Sequence, residues 1–179
     1  RHSEMSLIFF LYNYLFDTIV AVVVSLSILC IERSIENAHG GSPVWSVCPG
    51  GGEEQDWILT GGGDAGLSRW KLTVDNQAEQ LQCGIAESDF PKHVQFLGSS
   101  IYVFTNSGHL INIEKGRAQG VYHDESFSSY AVLAANRDGL ILIAGLQGNV
   151  TLLETQNHST VLNSHFINGK VFAAALFSQ

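Results

Sequence analysis

A repeated hairpin pattern constrains the fold of this chain more than any other feature. Three segments each contain an apolar stretch, a short glycine-containing turn and a second stretch in which apolar and polar residues alternate. They occupy residues 57–72, 101–114 and 141–154. This turn chemistry and two-residue period are typical of β-hairpins. Aligning Asp64, Ser107 and Gln147 gives spacings of 43 and 40 residues, which match the roughly 40 to 45 residues of one β-propeller blade.

Shorter apolar segments flank each hairpin and complete a four-stranded repeat. The preceding segments are residues 44–47, 94–97 and 130–133, and the following ones are 81–84, 120–123 and 160–162. A last apolar segment, residues 171–176, predicts the first strand of another repeat. The sequence therefore predicts an all-β chain with a partial propeller of about three and a half blades. The predicted blades cover about 38–84, 92–123 and 129–162, and the start of another covers 170–176. An arbitrary β-sandwich is the alternative, and the regular spacing favours the propeller.

Four residues of the first repeat resemble the WD-repeat pattern, and the resemblance implies that they form a single hydrogen-bonded chain. They are His39, Thr60, Asp64 and Trp70. A buried Trp N–H needs an acceptor, a Thr hydroxyl can accept it and pass a bond to imidazole, and a carboxylate can fix the imidazole tautomer. We predict that this set is structural. A catalytic triad is the other interpretation of His, Thr and Asp, but no activated nucleophile stands in a glycine elbow, so no catalytic residue is predicted.

These four residues and their spacing resemble the WD-repeat pattern, in which the same residue types link the strands of one blade. The second and third repeats lack the set, because Ile113 and Leu153 stand at the Trp position. We expect those two repeats to be held mainly by packing. The resemblance implies a scaffold that binds other macromolecules rather than an enzyme.

A closer resemblance covers roughly residues 38–176. Residues 38–41 followed by 57–70, then 123–133 and 168–171, are similar to the WD-repeat regulatory subunits of the methyltransferase that modifies the wobble-nucleotide 2′-hydroxyl of certain tRNAs. The resemblance implies a cytoplasmic protein whose partner is the methyltransferase subunit and which meets tRNA through that complex. The enzyme would supply the methyl-donor site. The alternative is a WD-repeat adaptor in signalling or ubiquitin ligase assembly.

Composition excludes several other functions. The chain has 9 Lys and Arg against 17 Asp and Glu, a formal charge of −8, so direct binding of a phosphate backbone is disfavoured. Its cysteines, Cys30, Cys48 and Cys83, have no CxxC spacing and are expected to be free thiols in a reducing compartment. The glycine run 61–63 lacks the ending of a phosphate-binding loop. No metal or cofactor site is predicted.

The first 37 residues lie outside the repeat. Residues 5–31 contain one charged residue, Asp17, and have the length and hydropathy of a membrane span. A membrane anchor, a buried apolar segment and sequence foreign to the mature protein are the three interpretations, and the last is favoured because no blade pattern occurs here. We expect this segment to be helical or misannotated, and a membrane association to be unlikely. The first residue is Arg1 rather than Met, which indicates a fragment, a processed product or an incomplete gene model.

The repeat also predicts where the core lies. We expect almost no helix after residue 38 and any helix to fall within residues 5–36. The residues expected to be largely buried are Val44, Val47, Leu59, Leu67, Trp70, Phe96, Ile101, Val103, Leu110, Val132, Ile141, Ile143, Val150 and Ala173.

Overall fold

The computed structural model describes residues 7–13, 18–25, 28–36, 38–50, 56–71, 78–81, 88–128, 131–135, 139–155, 160–172, 174 and 176. These residues form fifteen strands and one short 3-10 helix. The strands assemble into four separate sheets, and every pairing within them is antiparallel. The predicted all-β class is therefore confirmed.

The apolar N-terminal segment forms a sheet, so the expected helix is wrong. Its strands are β1 (Leu7–Asn13), β2 (Thr18–Ser25) and β3 (Ile28–Glu36), in the order β1-β2-β3. The run from Ile19 to Val24 is rich in β-branched residues, whose restricted side-chain torsions favour the extended backbone over a helix. No helix among the described residues has the length and apolar character needed to span a bilayer. The predicted boundary at residue 37 stays a prediction.

Three four-stranded sheets follow, each built from consecutive strands. Sheet I contains β4 (Val44–Pro49), β5 (Trp57–Gly62), β6 (Leu67–Lys71) and β7 (Ala78–Leu81). Sheet II contains β8 (Pro91–Leu97), β9 (Ser100–Thr105), β10 (His109–Glu114) and β11 (Arg117–His123). Sheet III contains β12 (Ala131–Ala135), β13 (Leu140–Gly145), β14 (Asn149–Glu154) and β15 (Thr160–Phe166).

The registers of the three sheets repeat. Gly61 pairs with Leu67 in sheet I, Phe104 with Leu110 in sheet II, and Ala144 with Val150 in sheet III. These pairs lie at the positions that the sequence alignment equated. The described residues Val171, Phe172, Ala174 and Leu176 are not in a strand, and the start of a fourth repeat at 170–176 stays a prediction. A strand needs hydrogen-bonded neighbours, and none of the described strands pairs with this segment.

The core lies between the sheets. Leu59 and Leu67 of sheet I pack against Val94 and Val103 of sheet II. On its other face, sheet II packs Phe104 and Leu110 against sheet III. Ile35 and Ala38, at the end of the N-terminal sheet and just after it, pack against Val44 of sheet I. Because residues of opposite parity cover opposite faces of a strand, each central sheet contributes to two apolar interfaces.

Most of the predicted core is confirmed. The buried members are Val44, Leu59, Leu67, Ile101, Val103, Leu110, Val132, Ile141 and Ile143. Val47, Trp70, Phe96 and Val150 are partly buried, and Ala173 lies outside the described residues. Val47 and Trp70 still contact the cluster around Val44, so their contribution is packing at the margin of the core.

The single described helix lies outside the range predicted for helices. It is a 3-10 helix, Glu125–Phe127, and the Asp124 side chain caps it by accepting a hydrogen bond from the Ser126 N–H. Phe127 is fully buried and meets Phe104 edge-on, with ring centroids 6.2 Å apart. This short turn brings an aromatic ring into the interface between sheets II and III, which explains why a helical element forms here.

Candidate functional site

The four residues singled out in the first repeat lie together in sheet I. His39 precedes β4, Thr60 lies on β5, Asp64 in the β5–β6 turn and Trp70 on β6. The His39 ring places Nδ1 2.9 Å from Asp64 Oδ1 and Nε2 2.9 Å from Thr60 Oγ1. Trp70 Nε1 donates to Thr60 Oγ1 at 2.9 Å. The loop before the sheet, its central hairpin and the hairpin turn are thereby connected by side chains.

One tautomer of His39 satisfies every donor in this chain. The Trp70 N–H donates to the Thr60 oxygen, the Thr60 hydroxyl donates to His39 Nε2, and the His39 Nδ1–H donates to Asp64. Asp64 also accepts the Gly66 N–H at 2.9 Å, which holds the turn. Complete satisfaction matters because a buried polar network is stabilising only when all its members are paired.

The burial of Thr60 and His39 argues against a nucleophilic role for the Thr60 hydroxyl. Thr60 is 0% exposed and His39 is 2% exposed, so no substrate can reach the hydroxyl. A nucleophile must be placed within bonding reach of the atom it attacks. We therefore assign the His39, Thr60, Asp64 and Trp70 set to the internal structure of sheet I.

Gly62 makes room for the His39 ring. A Cβ atom built on Gly62 would overlap the His39 ring and lie 2.7 Å from Asp64 Oδ1. A residue with a side chain at position 62 would displace the imidazole from its place between Thr60 and Asp64. The glycine run of the first repeat thus has a specific steric function in this turn.

Sheet II contains a polar link of its own that the sequence analysis missed. The Asp89 carboxylate, in the loop before β8, accepts hydrogen bonds from the Ser107 hydroxyl at 2.6 Å and the Ser107 N–H at 3.1 Å. His109 Nδ1 lies 2.8 Å from Ser107 Oγ and 3.3 Å from Asp89 Oδ2. This repeat, expected to be held mainly by packing, therefore also has a polar link between its loop and its turn.

The link in sheet II reverses the roles seen in sheet I. In sheet I the loop supplies the ring nitrogen and the turn supplies the carboxylate, whereas in sheet II the loop supplies the carboxylate and the turn supplies the hydroxyl. Ser107 occupies the position aligned with Asp64, and an acidic residue, Asp89, precedes the first strand. These two features are the sequence signal that could have revealed the link. In sheets II and III the segment after the last strand also meets the turn through the backbone, since the Asp124 N–H donates to the Gly108 carbonyl at 3.1 Å and the Ile167 N–H to the Gly148 carbonyl at 2.8 Å.

A cation lies against aromatic rings where sheets I and II adjoin. Lys92 Nζ is 3.5 Å from the centroid of the Trp45 ring, and Phe90 stacks beside Trp45 with centroids 5.9 Å apart. Burial lowers the pKa of Lys92 from its usual range. Two of the chain's few cations, Lys92 and Arg69, are engaged with tryptophan rings in this way.

One free thiol lies in the part of the chain whose side chains the structure describes. Cys48 is a free, buried cysteine whose pKa is raised by burial, which keeps it as an unreactive thiol. Cys30 and Cys83 lie outside the residues whose side chains are described. Over the described ranges, no group of three or more His, Cys, Asp or Glu side chains is arranged to hold a metal ion.

Comparison with known proteins supports the fold alone. No family model matches the sequence, and no curated protein matches it. Among solved structures, apo AztD from Citrobacter koseri is similar over 94% of this chain, at 17% identity and a TM-score of 0.65. PorZ, a surface component of the type-IX secretion system of Porphyromonas gingivalis, is similar over 84% at 12% identity and a TM-score of 0.56. The computationally designed Ika8 protein is similar over 95% at 13% identity and a TM-score of 0.63.

The chain is much shorter than these structures. It spans 46% of the AztD chain, 20% of the PorZ chain and 52% of the designed chain. At these levels of identity, the likeness concerns the arrangement of the sheets and says nothing about activity.

Proposed function

We propose that this chain is part of a WD-type β-propeller and acts as a non-catalytic binding scaffold. The single observation that carries the proposal is the hydrogen-bonded set of His39, Thr60, Asp64 and Trp70, which ties one four-stranded sheet together in the manner of a WD repeat. The repeated register of sheets I, II and III and their face-to-face packing agree with consecutive blades.

The partner proposed is the subunit of a tRNA 2′-O-methyltransferase that acts on the anticodon wobble nucleotide. The support is the sequence resemblance of residues 38–41, 57–70, 123–133 and 168–171. In this proposal the enzyme subunit supplies the chemistry and the methyl donor, and this chain needs no cofactor. The formal charge of −8, and the placement of Lys92 and Arg69 against tryptophan rings, favour tRNA contact through the partner rather than through this chain.

Affinity purification of the intact protein tests the proposal. We expect a tRNA 2′-O-methyltransferase to co-purify and, in cells that lack the protein, wobble-ribose methylation to fall while other tRNA modifications persist, as measured by mass spectrometry of digested tRNA. Recovery of ubiquitin ligase or signalling subunits with unchanged methylation would contradict the proposed partner and favour the adaptor alternative. Both results are compatible with the scaffold fold, so the experiment separates the partner from the architecture.

A further inference from the structure

A polar cavity of about 290 Å³ opens between sheets II and III. It lies at the end of β9 and β10 away from the turn that holds Ser107. The lining residues used below are Ser100, Tyr102, Asn112 and Glu114 from sheet II and Gly139 and Thr155 from sheet III. This volume is at the lower end of the roughly 300 to 1,000 Å³ of small-molecule pockets, so it suits one side chain or a small polar group.

Strand alternation explains why this end of the interface is polar. Leu110, Asn112 and Glu114 are separated by two residues each on β10 and so share one face of sheet II. Leu110 is fully buried against sheet III. Farther along the same face the next two residues are polar, Asn112 and Glu114, and Gly139 and Thr155 from the side of sheet III line the cavity with them. The apolar packing therefore ends and a cavity with polar walls begins.

Asn112 contributes an unpaired acceptor to this cavity. Its Oδ1 atom is buried and has no hydrogen-bond partner among the described residues. Native proteins leave few buried polar atoms unpaired, so an orphan acceptor in a cavity wall indicates a donor that comes from outside the chain. Glu114, two residues along, is 52% exposed, and Lys115, its ion-pair partner at 3.7 Å, is itself 89% exposed. The cavity thus combines a buried carbonyl oxygen with an available carboxylate.

The equivalent position in sheet I shows what such a space holds when the chain fills it. The pair Leu59–Arg69 of sheet I occupies the register position of Tyr102–Asn112 in sheet II. In sheet I the Arg69 guanidinium lies 3.9 Å from the centroid of the Trp57 ring and 3.7 Å from the Glu79 carboxylate. Sheet I therefore carries its own guanidinium here, whereas sheet II carries an acceptor, a carboxylate and open space.

We propose that the cavity between sheets II and III binds a guanidinium group, the side chain of an arginine from a partner protein. A guanidinium is planar and presents five N–H donors in a fixed fork, so it can donate to the Asn112 oxygen and to the Glu114 carboxylate together. Tyr102, a buried residue of the core between sheets II and III, also lines the cavity. The proposal does not depend on which protein the partner is.

Equilibrium binding to the intact, bead-immobilised chain tests this site. The probes are a fluorescein-labelled Ala-Arg-Ala peptide, the same peptide with citrulline in place of arginine, and unlabelled L-arginine as a competitor. We expect the arginine peptide to bind. Glu114→Gln should lower the affinity for this peptide about tenfold, the size of effect expected from losing a charge-assisted hydrogen bond. Asn112→Arg should also abolish binding, because it places an internal guanidinium where sheet I has Arg69.

Glu125→Gln is the matched control. Glu125 is exposed and lies just after β11, next to the turn that contains Gly108, at the end of sheet II opposite the cavity. The variant therefore removes the same charge outside the cavity. It should leave the affinity unchanged. Equal binding of the arginine and citrulline peptides, equal affinity in Glu114→Gln and the parent chain, or no binding of the arginine peptide would each overturn the proposal. L-arginine should compete with the labelled peptide because it carries the same guanidinium group, and failure to compete would also overturn the proposal.

Discussion

His39 in the loop before sheet I and Asp64 in the hairpin turn of that sheet are joined by a contact of 2.9 Å between ring nitrogen and carboxylate. The contact closes the loop onto the turn across 25 residues of chain. His39 is buried, and its two ring nitrogens contact Asp64 and Thr60, so the loss of either partner removes one of these contacts. The stability of sheet I should therefore depend on each member of the set.

Asp64→Ala should lower the free energy of unfolding by about 1 to 3 kcal/mol, because it leaves the buried His39 N–H without its acceptor. Urea unfolding followed by tryptophan fluorescence measures the change. Asp56→Ala, an exposed acidic residue just before β5, is the control and should alter stability by less than about 0.5 kcal/mol. Equal effects of the two variants would mean that the His39–Asp64 contact contributes nothing beyond surface charge.

Gly62→Ala should destabilise the chain by about 1 to 3 kcal/mol, the usual range for overpacking a well-filled site. The reason is steric, since the added methyl group would overlap the His39 ring. Gly120→Ala is the matched control, because a Cβ atom at Gly120 meets nothing within 4 Å. Thermal unfolding of the two variants side by side decides the point, and a neutral Gly62→Ala would show that the imidazole can shift without loss.

Asp89→Ala should destabilise sheet II by about 1 to 3 kcal/mol, because the Ser107 hydroxyl and N–H lose their shared acceptor. Hydrogen exchange provides the local measurement, with faster exchange expected at the Ser107 amide and in the neighbouring turn. In the Asp64→Ala variant, faster hydrogen exchange should instead occur in the turn of sheet I. Increased exchange in both turns in either variant would mean that the two links are not separate.

The parts of this fold that the sequence predicted are those with a local signature. The three hairpins were recognisable because Leu67, Leu110 and Val150 recur after glycine-containing turns and alternate with polar residues. The His39 network was recognisable because its residue types and spacing are distinctive. Both signals depend on residues close in the chain, or on one repeated pattern, and not on which sheets come to lie against each other.

The features that sequence analysis missed depend on tertiary placement. The N-terminal strands contain β-branched residues, but no Gly or Pro marks the turns between them, so the apolar length suggested a helix. Asp89 and Ser107 exchange the chemical roles of loop and turn, which no fixed pattern of residue types detects. The cavity beside Asn112 exists because Gly139 and Thr155 of another sheet lie opposite, and one strand's sequence does not specify that neighbour.

His93 should make stability depend on pH between about 6.5 and 4. Burial is the largest influence on the pKa of His93, and it lowers this pKa from 6.5 to about 4 in the folded chain. Because the unfolded chain binds the proton more readily, the contribution of neutral His93 is complete above pH 6.5 and is lost as the pH falls through this window. The loss at pH 4 is about 3 kcal/mol relative to neutral pH.

The comparison variant for this effect is His93→Gln. The difference in unfolding free energy between the parent chain and the variant, measured by urea titration at several pH values, should shrink or change sign as the pH falls from 7 to 4. Carboxylates titrate in both proteins, so their contribution cancels in this difference. A difference that stays constant across the window would show that His93 does not titrate with a lowered pKa.

Residues 38–179 alone should self-associate through the last strand of sheet III and the segment after it. Val161, Leu162, Phe166, Ile167 and Phe172 are exposed, and Phe166 is 71% exposed. Strand β15 pairs with β14 on one side, while its other edge has no partner among the described strands. An unpaired strand edge next to exposed apolar side chains favours association with another chain.

Size-exclusion chromatography with light scattering should show that residues 38–179 form oligomers or are poorly recovered. In a separate assay, this fragment should not support wobble methylation. Changing Phe166 and Phe172 together to Ser should shift the population towards monomer, whereas the exposed change Gln119→Ser on β11 should not. A compact monomer of the unmodified chain would show that sheet III is closed in a way that leaves these side chains unavailable.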